Sequence, residues 1–171
     1  MSIDMSHTQM TREETEAVLD ITRMHLTDLT EWYCLLVSGL YEQGRTYLRV
    51  DLDSANEYHG RPSAIGQDNV KPSTRLGYCC LGVYCDGKAA KGELPASFWQ
   101  EHAHDTLLPE DVALSAGMGI TAINPELAVV SETVYTAAEL NDGMSWTFGQ
   151  IAAELLREIR RRATERGDLP A

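Results

Sequence analysis

Basic side chains are scarce in this sequence. Its 171 residues contain 14 lysines and arginines against 26 aspartates and glutamates, a formal net charge of −12 at pH 7. Because a negative field repels phosphate backbones, this balance argues against direct binding of DNA or RNA. Residues 151–171, with five arginines and four acids, depart from the pattern. A basic protein partner is compatible with the charge, and so is a purely solubilising role.

Long apolar runs are missing as well. No stretch approaches the ~20 apolar residues of a membrane-spanning helix, so we expect no membrane association. The opening MSIDMSHTQMTREE is polar and acidic, unlike the basic-then-apolar order of a secretory signal. We therefore expect a cytoplasmic protein, whose four cysteines stay reduced and form no disulfide framework.

Familiar catalytic and cofactor motifs are also absent. The sequence contains no phosphate-binding P-loop, no dinucleotide-binding glycine pattern, no G-x-S-x-G and no H-E-x-x-H. It lacks C-x-x-C, the spacing typical of zinc ligands and thiol redox pairs. We therefore expect no cofactor and no metal, and the motifs favour a binding protein over an enzyme.

The length and composition fit one α+β domain. A chain of 171 residues with 43% apolar content can bury a stable core without disulfides or a structural metal ion. Alternating apolar residues over 46–52 predict a strand, and ELAVV followed by TVYT predicts a hairpin. We predict a single domain over 1–171, with four or five helices around a small, mainly antiparallel sheet.

Capping signals mark where the helices begin. A Thr-x-x-Glu box opens a helical segment over 11–39, one long helix or two abutting ones, which a glycine ends. A Thr-x-x-Gln box opens a C-terminal helix over 147–166, with a clear apolar stripe and arginines near its end. Between them, residues 53–75 have no apolar period and predict a long loop, either a variable surface insertion or a lid or partner-contact segment.

The stretch GYCCLGVYC raises the question of a reactive thiol. If Cys79 or Cys80 lies at a helix N-terminus, the helix dipole would lower the thiol pKa. His102 or His104 would then act as the base and Asp105 would orient it, which is the logic of a Cys-His-Asp triad. The alternative function is accordingly a cysteine-dependent hydrolase or transferase.

The same stretch has a simpler interpretation as core. Adjacent cysteines rarely bind one metal ion, and the nearby histidines lie in a polar stretch. Buried cysteines usually act as small apolar fillers. Residues 80–85 fit a strand or a short helix, because so short an apolar run does not distinguish them. We predict a tightly packed central element in which Gly82 admits a close neighbour.

Positive charge near the predicted strand indicates a ligand site. Gln43, Arg45 and Arg49 lie in or beside the strand, and guanidinium groups match phosphate and carboxylate geometry. Tyr47 and Tyr78 could stack on a nucleobase. The alternative is that each arginine pairs with a nearby surface aspartate or glutamate.

Several separated pieces of the sequence together carry a resemblance. They are Trp32 with LLVSGLYEQGRTYLR, then GYCCLGVYC, then LLPEDV, then ELND followed by WTFGQIAAELL. The chain resembles an uncharacterised family of small bacteriophage-encoded proteins with an SG-x-Y-x-Q stretch, a CCLGV core, an LP-x-x-V helix start and an LND…F-x-x-I-A ending. The resemblance covers residues 32–156. The longer 53–75 segment and the acidic N-terminal helix depart from the family pattern.

This resemblance implies a source and a fold lineage rather than a reaction. The expected function is a phage-encoded accessory protein of the host bacterial cytoplasm, which binds and neutralises a host or anti-phage defence component. The target is either a protein or a sequestered anionic small molecule such as a nucleotide. A structural part of the virion is a further class. An exposed Trp146 or the arginine-rich last helix would support a homodimer.

Overall fold

The computed structural model describes residues 20–54, 60–118, 124–131 and 133–168, whose arrangement confirms the α+β class. Within these ranges the chain forms five α-helices, and two 3-10 turns and one π-helical turn supplement them. The α-helices are α1 (Leu26–Val37), α2 (Cys80–Ala90), α3 (Phe98–His102), α4 (Glu110–Ser115) and α5 (Phe148–Glu165). The 3-10 turns are Asp20–Thr22 and Gln67–Asn69, and the π-helical turn is Glu139–Gly143.

The strands form two small sheets. They are β1 (Glu42–Gln43), β2 (Arg49–Asp51), β3 (Ser63–Ala64), β4 (Leu76–Tyr78), β5 (Glu126–Val130) and β6 (Thr133–Thr136). The first four form one sheet in the order β1-β4-β2-β3, in which β1 and β4 run parallel and the other neighbours antiparallel. β5 and β6 form the predicted antiparallel hairpin, whose turn holds Ser131 at a φ of 49°.

The first half of α2 is the centre of the core, as predicted for the CCLGV stretch. All six residues from Cys80 to Cys85 are buried. Gly82 packs against the chain just before β2, since a Cβ at this position would lie 1.8 Å from the Leu48 carbonyl oxygen. The indole Nε1 of Trp32 on α1 donates to the Cys80 carbonyl at 2.9 Å. Only glycine at position 82 permits α2 to lie this close to the Leu48 backbone.

The C-terminal helix α5 forms as its capping box predicts. Thr147 and Gln150 bond reciprocally, and the apolar stripe faces the core against α1. The arginines near its end do more than complement the helix dipole. Arg162 donates to the carbonyl oxygens of Ile21 and Met24, both at 2.6 Å, and to the buried Glu158 at 2.7 Å. α5 therefore anchors the chain segment that precedes α1.

Two sequence expectations about the middle of the chain were wrong in extent. The strand predicted over 46–52 is limited to β2, because Thr46 has a φ of 73° that no strand accommodates. The predicted loop 53–75 contains β3 and a 3-10 turn, and its Ile65 is buried. Residues 55–59 of that loop lie outside the described residues. β3 of this segment therefore forms the edge strand of the sheet beside β2.

The N-terminal helical prediction holds where the structure describes it. Of the segment 11–39, residues 11–19 lie outside the described ranges, and α1 begins only at Leu26. Gly39 follows α1 at a φ of 75°, the left-handed conformation predicted for it. None of the helices described is long and apolar enough to cross a membrane.

Candidate functional site

The candidate thiols are sealed inside the protein. Cys79 is the N-cap of α2 and Cys80 is its first residue, so both adjacent cysteines lie at a helix N-terminus. Its Sγ accepts from the Gly82 N–H, whereas the Cys80 Sγ donates to the Ala137 carbonyl oxygen. Burial nevertheless raises the pKa of the Cys79 thiol to about 12 and raises that of Cys80 well above its ordinary value. Desolvation outweighs the helix dipole, and the geometry is not that of an activated thiolate.

The proposed base and its orienting acid do form a pair. His102 ends α3, and its Nδ1 lies 2.7 Å from Asp105 Oδ2, while His104 Nε2 lies 3.9 Å from Asp105 Oδ1. An open cavity of about 320 Å³ lined by residues 104–108 lies beside them. The hydrogen bonds of the Cys79 and Cys80 thiols go to Gly82 and Ala137 rather than to an imidazole. Neither candidate thiol is therefore hydrogen-bonded to the His102–Asp105 pair.

A metal centre finds no support among the residues that the structure describes. Within them, no group of three histidine, cysteine, aspartate or glutamate side chains is arranged to hold an ion. All four cysteines are free thiols, and Cys34 on α1 is the exposed one.

Asn141 organises the polar residues around β1. Its Oδ1 accepts from Gln43 Nε2 at 2.8 Å and from the Cys80 N–H at 3.3 Å. Its Nδ2 donates to the Gly44 carbonyl at 3.1 Å and to Asp142 Oδ1 at 2.8 Å. Asn141, although it belongs to an Asn-Asp-Gly stretch typical of a turn, is therefore a buried junction. It fixes the π-helical turn to β1 and to the start of α2.

The same junction engages the predicted ligand-binding arginine Arg45. Its Nη1 donates to the Asn141 carbonyl oxygen, and the neighbouring Thr46 N–H donates to Asp142 Oδ1 at 2.9 Å. These bonds hold Thr46 in its left-handed conformation. Tyr47, half-buried, donates its N–H to the Arg45 carbonyl at 2.9 Å. Gln43 and Arg45 thus make internal contacts that stabilise the fold.

Arg49 does not pair with a surface acid, contrary to the alternative considered for it. The residue is 3% exposed, and its guanidinium lies 4.6 Å from the ring centre of Trp99. Its Nε donates to the Ile65 carbonyl at 3.1 Å and its Nη1 to Gln67 Oε1 at 3.2 Å. Its buried Nη2 has no hydrogen-bond partner among the described residues. The segment around β3 is what buries this cation.

The aromatic ring of Tyr78 is already in contact with other rings. It lies edge-on to Tyr41 at 5.2 Å and to Trp99 at 5.8 Å. Burial and the nearby Asp86 carboxylate, which accepts from the Tyr41 hydroxyl at 2.9 Å, together raise the pKa of Tyr78 to about 12. This ring is part of the core edge, where stacking on a base would require displacing a neighbour.

An apolar groove between α1 and α2 could receive a partner. Its volume is about 410 Å³, and Leu35, Leu40 and Ala90 contribute to its lining with the rings of Trp32 and Tyr84. Leu40 is 81% exposed and lies at the mouth, just after the end of α1. An exposed leucine beside an apolar concavity is typical of an interaction site.

The two helices meet at the floor of this groove through Gly87. A Cβ at Gly87 would lie 2.3 Å from Leu35 Cδ1, and the rings of Trp32 and Tyr84 pack edge-on at 5.7 Å. Charged residues lie on the rim, where Lys88 and Lys91 pair with Asp28 and Glu31 of α1. The two helices are therefore joined by direct packing at the floor and by ion pairs at the rim.

The sequence patterns did not indicate the groove. The one available signal was Leu40, an apolar residue that follows the helix-ending Gly39 and belongs to no predicted helix or strand. Trp146, predicted as an exposed dimer contact, is half-buried and packs against the core.

The comparisons with known proteins identify no relative. No family model matches the chain, and no curated protein and no solved structure matches it. The resemblance of its CCLGV and LND…F-x-x-I-A stretches to phage proteins therefore stays a prediction. What the fold and the groove define is a small α+β protein with an open apolar surface.

Proposed function

We propose that this protein is a non-enzymatic binding protein whose α1–α2 groove receives an apolar segment of a partner protein. The observation that carries the proposal is the 410 Å³ apolar groove with the 81% exposed Leu40 at its mouth. Burying such a side chain against a partner contributes about 1.5–3 kcal/mol.

Binding accounts for the structure better than catalysis does. The candidate nucleophiles Cys79 and Cys80 are buried with raised thiol pKa values, so neither presents a thiolate to a substrate. The groove, in contrast, is open, and most of its lining surface is apolar; its one cysteine, Cys34, has no histidine beside it in the lining.

The setting we propose follows from the resemblance to phage proteins. In it, the protein acts in an infected bacterial cytoplasm and neutralises a host or defence protein through the groove. We expect the protein in the soluble fraction of infected cells and not in purified virions, as measured by mass spectrometry of both fractions. Stoichiometric presence in virions would favour a structural role instead.

The test of the binding function is affinity capture with matched surface variants. Tagged wild type, Leu40→Asp and Leu114→Asp are used as baits, because Leu114 on α4 is also exposed, at 45%, but lies outside the groove. We expect one protein to be recovered by wild type and Leu114→Asp and to be lost from Leu40→Asp. Equal recovery by both variants, or no recovery by any bait, would overturn the proposal.

A small anion held by Arg49 is a second candidate, favoured by the buried and unpartnered Nη2. Burial lowers the pKa of this guanidinium, so a bound anion would offset the cost of its desolvation. Isothermal titration of wild type and Arg49→Lys with inorganic phosphate and nucleoside triphosphates tests it. Absence of heat in the wild type removes this candidate.

A further inference from the structure

The walls of the groove limit what can occupy it. α2 and its C-cap contribute Tyr84, Gly87, Lys88 and Lys91, the i, i+3, i+4 and i+7 positions of one helical face. This spacing makes a wall about two turns, or about 10 Å, long. α1 supplies the opposite wall. A surface of this length matches two to three turns of an incoming chain.

An incoming helix fits these walls better than a strand does. The backbone N–H and C=O groups along α1 and α2 are already hydrogen-bonded within their own helices. An extended segment in the groove would therefore find no ladder partners for its own backbone. A helix satisfies its backbone internally and presents only side chains, which is the helix-in-groove mode of recognition.

The charged residues at the rim of the groove determine which net charge a partner should carry. Lys88 lies in an ion pair with Asp28 and 3.0 Å from Glu93, and Lys91 pairs with Glu31 and lies 3.7 Å from Glu93. Both groove lysines are thus shared among three acids, and neither is left for an anionic partner. The three acids Asp28, Glu31 and Glu93 outnumber the two lysines by one, and the whole chain has a net charge of −12. A basic partner is attracted and an acidic one repelled.

We propose, on the basis of the binding function above, that the groove's occupant is a basic amphipathic helix of a partner protein. Its apolar face lies on Leu35, Leu40 and Ala90. Its lysines or arginines reach Glu31 and Glu93 at the rim.

Three labelled peptides of about 18 residues, long enough to form a helix, provide the test. They share one leucine face and carry lysine, glutamine or glutamate at every polar position. Fluorescence anisotropy at low salt is expected to show the lysine peptide binding about tenfold more tightly than the glutamine peptide, and the glutamate peptide most weakly. Added salt narrows the difference, because it screens rim charges.

Two sets of variants separate groove binding from general attraction. Leu40→Asp makes the protein more negative, so non-specific attraction of the lysine peptide would rise, yet we expect its binding to fall at least tenfold. Leu114→Asp carries the same charge change outside the groove and is expected to bind like wild type. Glu31→Gln with Glu93→Gln is expected to weaken the lysine peptide and to strengthen the glutamate peptide.

The outcomes distinguish this inference from the binding function itself. Equal binding of all three peptides, lost in Leu40→Asp, would keep the groove as a docking site and overturn the basic partner. Undiminished binding of the lysine peptide to Leu40→Asp would show that attraction is non-specific and would overturn the inference. If no peptide binds while affinity capture still recovers a Leu40-dependent partner, the helix is wrong and the function stands.

Discussion

The two halves of α2 differ in their exposure to solvent. From Cys80 to Cys85 every residue is buried, and the first turn touches the Leu48 backbone and the Asn141 side chain. From Gly87 onward, together with the ring of Tyr84, the same helix forms one wall of an open apolar groove. The boundary lies at Asp86, whose carboxylate accepts from the Tyr41 hydroxyl.

This difference shows where function can lie on the helix. Its chemically reactive side chains are in the sealed half, where burial raises the pKa of the Cys85 thiol as it does for Cys79 and Cys80. Its open half carries glycine, alanine and ion-paired lysines. The accessible surface can bind, whereas the reactive groups cannot be reached.

Alkylation of thiols is the strongest test of this difference between the two halves of α2. In the native protein, iodoacetamide is expected to modify Cys34 alone. Cys79, Cys80 and Cys85 react only when the chain unfolds, so their alkylation rates should be lower than that of Cys34 by a factor of at least about a thousand. Intact-mass spectrometry should show one adduct before urea and four after it.

The control for that measurement is Cys34→Ser, which should acquire no adduct in the native state. Fast, pH-dependent modification of Cys79 or Cys80 in this variant would instead revive the cysteine-dependent hydrolase or transferase. His102 and Asp105 would then need to be tested as its base and orienting acid.

Alanine substitutions at Gly82 and Gly87 test the same difference between the two halves of α2 through their effects on stability. Gly82→Ala is expected to cost at least about 3 kcal/mol of unfolding free energy, or to prevent folding, because its Cβ would meet backbone at 1.8 Å. Gly87→Ala meets only the end of the Leu35 side chain and gains helix propensity, so we expect a change within about 1 kcal/mol. Urea unfolding measures both, and equal costs would contradict the division of α2.

Asn141 provides an intermediate effect. Asn141→Ala leaves the buried Cys80 N–H and Gly44 carbonyl without their partner and is expected to cost about 2–3 kcal/mol. The matched control Asn69→Ala, in an exposed 3-10 turn, should stay within about 0.5 kcal/mol. A small effect at Asn141 would mean that the junction does not hold the sealed half of α2.

The smallest expected effect concerns α5. Burial raises the pKa of Glu158, but hydrogen bonds from Arg161 and Arg162 overcome this and leave it below 4.5. A carboxyl whose folded pKa is depressed stabilises the protein above its unfolded pKa, and this stabilisation is lost as pH falls through the folded value. Glu158→Gln should therefore cost about 1 kcal/mol at pH 7 and less below pH ~4. Thermal unfolding across pH measures the difference, and a pH-independent difference would contradict the assignment.

How much could be predicted differs between local and distant features. The capping box of α5, the left-handed Gly39 and the β5–β6 hairpin follow from residues a few positions apart, so the sequence patterns predicted them. The strand over 46–52 was over-extended, because the distant Asp142 holds Thr46 in a conformation that alternation of apolar residues does not reveal.

The candidate sites show the same division. The prediction that GYCCLGVYC is core was confirmed, since an apolar run with a central glycine fits little else. Gln43 and Arg45 were interpreted as ligand-binding because their actual partner, Asn141, is 98 residues away from Gln43 in the chain. The groove depends on which faces of α1 and α2 meet, which neither helix specifies alone.

The sequence by itself determined the secondary structure with local signals, the acidic charge and the burial of Cys79, Cys80 and Cys85. These depend on composition and on contacts between near neighbours. Only the tertiary structure decided that the arginines near β1 are internal, that α2 is sealed at one end and open at the other, and that an apolar groove results. Those features arise from packing between segments far apart in the chain, where the partner of each side chain is set by the fold as a whole.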